Sequence, residues 1–148
     1  MSGIHIAIDP GKNGGIAVST GSASTVRAFS MPGTAHDLAA LLADVSLLGD
    51  AEVVLEKVHA MPKDGGSSAF TFGENFGVIQ GVLAALMIPY RFVTPQQWQK
   101  KVGALSKDKA ERKRELKAFA QQRYPHIAVT LKTADALAML AVEFTTRG

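Results

Sequence analysis

The chain has 148 residues, 47% of them hydrophobic and 20% charged, which suits one domain with a substantial core and argues against disorder. It contains no cysteine, so disulfides, thiolate zinc sites and cysteine nucleophiles are excluded. The net charge of +3 conceals an uneven distribution: half of the 16 Lys and Arg fall between Lys100 and Lys117, against Asp108, Glu111 and Glu115 there.

In chain order, Ile4 to Asp9 and Gly14 to Thr20 read as strands joined by a Pro-Gly-Lys-Asn turn, with Ser24 to Ser30 a third strand. Thr34 is expected to cap a helix bearing Leu38, Leu41, Leu42 and Val45. Ala51 to Glu56 reads as the fourth strand, followed by a glycine-containing loop through Met61, Lys63 and Asp64. A long helix is expected over about Ser67 to Met87, ended by Pro89. Tyr90 to Val93 reads as a short strand, and Pro95 opens a short helix through Trp98. Ser106 is the expected cap of a helix running to about Tyr124, and the last helix is expected from near Thr133 to Thr145. The stretch Phe76 to Ile88 is the longest apolar one; it carries Gln80 and two glycines and is too short to span a bilayer. No basic region with an apolar stretch opens the chain, so an intracellular location is expected.

Residues 1–148 read as a single domain without repeats. Three hairpin-linked strands, then helix-strand-helix-strand, describe an α/β layer fold with a five-stranded mixed sheet flanked by helices. The order fits first and fourth strands that are parallel neighbours, about 4.8 Å apart. Three acids lie in otherwise apolar segments: Asp9 and Glu56 each close a β-branched run, and Asp135 sits near the start of the last helix. A carboxylate at the end of a core strand is costly unless a cation meets it. Three that converge suggest a divalent-metal site, since Mg²⁺ and Mn²⁺ favour oxygen ligands. Beside a basic C-terminal half, this points to phosphodiester chemistry.

Each feature also has a plain structural reading. Asp9 before Pro-Gly can fix a turn, Glu56 can pair with Lys57 or Arg91, and Asp135 suits an early helical turn. The basic run is either a solvated helix surface or a phosphate-tracking patch. Gly73, Gly77 and Gly81 line one helical face, either to pack closely on their own sheet or to approach a second subunit.

The chain resembles the RuvC-like Holliday junction resolvases of the RNase H-like superfamily, especially phage and chloroplast members. IDPGKNGGIAV resembles their opening hairpin; EKVHAMPKDGGSSAFTFGENFGVIQGVL resembles their fourth strand, junction-contacting loop and long helix. TPQQWQKKVG is similar to the exit of the fifth strand, and TADALAML to the final catalytic helix. The resemblance implies that Asp9, Glu56 and Asp135 are metal-binding acids holding two Mg²⁺ ions, with Mn²⁺ able to substitute. It implies in-line attack by water on a phosphodiester of a four-way DNA junction. The protein would be a homodimer joined through the helix Ser67–Met87, in a bacterial or phage-infected host cytoplasm or nucleoid.

By the same resemblance a lysine follows the fifth strand near the active site. Lys100 is the expected residue, with Gln99 the strict equivalent and Lys101 close behind. His59 occupies a position where relatives place an aromatic that meets unstacked bases. His59, Lys63, Lys101, Lys107, Lys109, Lys113, Arg114, Lys117 and Lys132 are the expected DNA contacts. One departure stands out: relatives carry an acid or histidine one helical turn before the last aspartate, where this chain has Lys132. Lys132 is expected at the mouth of the last helix, facing the metal site. The competing readings are a nuclease for other branched DNA or RNA, and a junction-binding module whose active site has decayed.

Overall fold

The computed structural model describes residues 3–58 and 65–144. Alternation in the strands divides the core. In β1 (Ile4–Asp9), Ile4, Ile6 and Ile8 point to one face of the sheet, leaving His5, Ala7 and Asp9 for the other. Strand β1 pairs antiparallel with β2 (Gly15–Ser19), which pairs with β3 (Arg27–Ser30). On its other side it pairs in parallel with β4 (Ala51–Glu56), which pairs with β5 (Tyr90–Val93). The sheet is therefore five-stranded and mixed, in the order β3-β2-β1-β4-β5, with helices on both faces.

Helices α1 (Ala35–Ser46) and α2 (Gly66–Ala85) cover the isoleucine face, burying Leu38, Leu42, Ile79 and Leu83 against Ile6, Ile8 and Leu55. The opposite face is covered by α3 (Pro95–Val102), α4 (Lys109–Arg123) and α5 (Leu131–Glu143), through Trp98, Leu116, Ala120, Leu137 and Met139. Gly15 sets how closely α5 approaches. A Cβ there would lie 2.6 Å from the Lys132 carbonyl oxygen and 2.9 Å from that of Phe29, so any larger residue would push the first turn of α5 off the sheet.

Several expected boundaries shift for local reasons. The third strand begins late because residues Ala23–Thr25 form a 3₁₀ turn, in which the Thr25 hydroxyl donates to the Ser22 carbonyl at 2.9 Å. Thr94 and Gln97 form a capping box, and α3 continues past Trp98 to Val102. Asp108, not Ser106, caps α4: its carboxylate accepts from the Glu111 amide at 2.9 Å, while the Ser106 hydroxyl accepts from the Asp108 amide. Helix α5 starts at Leu131 because Thr130 caps it, with Thr133 as the third residue of the box. Lys132 is thus inside the first turn rather than before it, and it is exposed. Among the described residues no helix is long and apolar enough to cross a membrane.

Candidate active site

Register brings the first two acids together. Ile8 pairs with Leu55 across the parallel β1–β4 ladder, so Asp9 and Glu56 end adjacent strands and project to the same face. Helix α5 lies over that face and presents Asp135 from its fifth residue. Glu56 is buried at 5% exposure, and its Oε2 accepts a 2.6 Å hydrogen bond from Trp98 Nε1. Neither Lys57 nor Arg91 pairs with it. Lys57 lies over the Phe92 ring at 4.9 Å, and Arg91 donates to Glu143 at 2.9 Å.

The electrostatics show a shortage of positive charge. Burial pushes the Asp9 carboxyl well above the usual carboxylate range, and the charges of Glu56 and Asp135 raise it further, against a smaller lowering by Lys113. Asp9 keeps some open surface, yet protein crowds its carboxyl on most sides, and that crowding governs its proton affinity. Burial also raises Glu56, and Asp135 adds to this; the Trp98 hydrogen bond opposes the rise, as do Asp9 and Lys113. Asp9 and Glu56 also act on each other, the contact raising the Asp9 carboxyl and lowering that of Glu56.

Lys113 Nζ lies 2.9 Å from Asp135 Oδ1. The approach is too oblique for a hydrogen bond, so this buried oxygen is paired in charge but has no hydrogen-bond partner. Carboxylate oxygens short of cations, one of them orphaned, are a donor set that fits a hard divalent ion. The shell is not preassembled. Among the described residues no three acidic or histidine side chains already stand around a common point. Trp98 holds Glu56 and Lys113 draws Asp135, so holding such an ion would require side-chain rotation.

A cleft of about 910 Å³ opens over Glu56 and Asp135. Glu56 and Asp135 line it from the sheet and α5, and Lys109, Arg112 and Lys113 line it from α4. These three basic residues share one helical face with Leu116 at i, i+3, i+4 and i+7 spacing. Arg112 was absent from the sequence-based set, although that spacing carried the signal. Arg114 points elsewhere and is exposed; Lys117 is half-buried, and Lys107 precedes the cap. A smaller cavity of about 180 Å³ lies on the other face of the sheet, between Lys12, Thr34 and Asn75, and touches none of the three acids.

Two expected placements need correction. Lys100 does not line the cleft. Helix α3 turns Pro95 and Gln99 into it and seats Trp98 on Glu56, which leaves Lys100 exposed on another side. Lys101 donates to Glu143 at 2.9 Å, eight residues beyond Asp135 and so about 12 Å further along the α5 axis. The ammonium against Asp135 belongs to Lys113, not Lys132, which is exposed. His59 and Lys63 lie outside the described residues.

No protein-family model matches the chain, and no curated protein matches it. Solved structures do. The structure of Thermus thermophilus RuvC is similar with a TM-score of 0.60 at 16% identity, covering 93% of this chain and 90% of that one. T. thermophilus RuvC in complex with a Holliday junction substrate is similar with a TM-score of 0.61 at 15% identity and the same coverage of both chains. At this identity the likeness establishes a RuvC-like, RNase H-like fold.

Proposed function

We propose that this chain is a divalent-metal-dependent endonuclease that resolves four-way DNA junctions as a homodimer. The observation that supports it most is the grouping of Asp9 with Glu56 and Asp135, the latter two lining a cleft walled by Lys109, Arg112 and Lys113. Asp9, Glu56 and Asp135 would hold Mg²⁺, with Mn²⁺ as a substitute. A bound ion of this kind supplies Lewis-acid stabilisation of phosphate charge and lowers the pKa of a water nucleophile. Trp98 keeps Glu56 in one rotamer and favours its ionised form. The α4 wall binds backbone phosphates, which sets position without reading sequence. Lys107, Arg114, Lys117 and Lys132, together with His59 and Lys63, which follow Glu56 in sequence, are proposed outer contacts to the arms of a junction. Lys100 remains a candidate for such an arm contact, while Lys101 is committed to Glu143.

The dimer reading draws support from α2. A Cβ added at Gly73, Gly77 or Gly81 would meet nothing within 4 Å, so these glycines do not serve close packing on their own sheet. Phe70 beside them is 72% exposed, and Phe72, Phe76 and Phe92 form a run of stacked rings. A second copy of this helix would cover the face and give a two-fold protein for a two-fold substrate. A monomer in sedimentation at micromolar concentration would remove this part of the proposal. A cytoplasmic or nucleoid location follows from the substrate.

The test is a synthetic four-way junction incubated with protein and Mg²⁺, beside linear duplex, single-stranded DNA and an RNA–DNA hybrid. Paired nicks in the junction alone are expected. Cutting of the hybrid but not the junction would make it an RNase H-type enzyme. A second reading, a junction binder without cleavage, is favoured by Lys113 standing on Asp135. Junction binding with no cutting under any divalent metal would select it.

A further inference from the structure

The cation nearest Asp135 is part of the protein. Lys113 comes from α4, whose backbone is anchored in the core by Leu116 and Ala120, both buried. Its side chain is 31% exposed and reaches an Asp135 side chain that is 19% exposed, with Nζ 2.9 Å from Oδ1. Its charge also acts on Asp9 and Glu56, so all three carboxylates share this one ammonium. The adjacent basic residues of the wall, Lys109 and Arg112, have other settings. Lys109 opens the helix, and Arg112 donates to the carbonyls of Ser106 and Lys107 at 3.3 Å.

Charge balance then constrains what else can enter. Three ionised carboxylates are neutralised by one divalent ion plus one ammonium. Two divalent ions together with the ammonium would leave an excess of positive charge in a partly desolvated cleft, with the ammonium beside an oxygen that the second ion would need. We propose that Lys113 is a resident cation of this site: it fills one of two cation positions, so the free protein takes up one divalent ion fewer than its carboxylates would otherwise admit. This rests on the metal-dependent reading above and deepens it. It makes Lys113 the residue that sets metal demand.

The experiment counts Mn²⁺ bound per chain, by the paramagnetic resonance signal of the free ion, for wild type, Lys113→Gln and Lys113→Arg. The emission of Trp98, the sole tryptophan and the hydrogen-bond donor to Glu56, follows filling of the same cluster without any turnover. Lys113→Gln is expected to bind one more ion than wild type, and Lys113→Arg, which restores the cation, the same number as wild type. Equal counts for wild type and Lys113→Gln would overturn the proposal. Two ions on wild type would do so without any variant, which covers a Gln variant that fails to fold. No Mn²⁺ uptake and no Trp98 response in any of the three would instead bring down the metal-nuclease reading itself.

Discussion

Helix α5 carries a carboxylate near each end, and the fold treats the two differently. Glu143, at the C-terminal end, has both oxygens satisfied: Oε1 accepts from Arg91 and Oε2 from Lys101, each at 2.9 Å. Burial alone would raise its pKa, but the hydrogen bonds and charges of Lys101 and Arg91 outweigh it and hold the group below the usual range. At the other end, Asp135 stands with Asp9 and Glu56, and one lysine serves all three. The chain therefore places two cations on a single carboxylate where the task is to tie α5 to β5 and α3. It withholds them where carboxylates are densest. A deficit of this kind fits the metal-dependent reading proposed above.

The strongest way to break this contrast is to neutralise the acids singly. Asp9→Asn, Glu56→Gln and Asp135→Asn should each lower junction cleavage at least about 100-fold, beyond the 10–100-fold typical of an outer-shell change. Junction affinity should stay near wild type, and Glu143→Gln should leave cleavage nearly intact. Full cleavage by any of the three would remove that residue from the site.

Trp98 sharpens the comparison next. Trp98→Phe strands a buried glutamate oxygen and removes the interaction that most opposes the rise in its pKa. Cleavage should fall about 10–100-fold, with the acidic limb of the pH–rate profile displaced to higher pH. A profile that drops without moving would mean that Trp98 only fills space.

Stability in metal-free buffer should respond in opposite senses at the two ends. Asp9 and Glu56 have raised pKa values, so their contribution is fully present below the ordinary range near 4 and is lost as pH rises through the raised values. Glu143 has a lowered one, so its contribution is present above that range and is lost as pH falls. At pH 8, Asp9→Asn should therefore raise Tm, and Glu143→Gln should lower it by the roughly 2–4 °C that about 1 kcal/mol represents in a chain of this size. Differential scanning calorimetry decides between this and equal signs, which would erase the contrast.

The smallest effect separates the faces of α4. Lys109→Ala should reduce the slope of log affinity against log salt by about 0.9, the value of one phosphate contact. Arg114→Ala, off the cleft, should leave that slope unchanged. Equal slopes in a binding titration would mean that the cleft wall does not track phosphates.

Much of this was legible before any coordinates. Period-two β-branched runs and the Thr34 and Pro95 signals determined the strands, several helix starts and the α/β class, because they are local properties of neighbouring residues. The positions of Asp9 and Glu56 at strand ends and Asp135 on the last helix were equally plain. What only the tertiary structure decided was which side of each helix meets the acids. Gln99 rather than Lys100 enters the cleft because Trp98 is seated on Glu56, and Lys101 turns away to Glu143. Lys113 rather than Lys132 reaches Asp135 because α4 packs along α5, and Gly15 lets α5 settle on the sheet. A helix in sequence has a hydrophobic stripe but no neighbour. Charges just off that stripe acquire partners only when the packing of one element on another sets its rotation, and no local pattern records that angle.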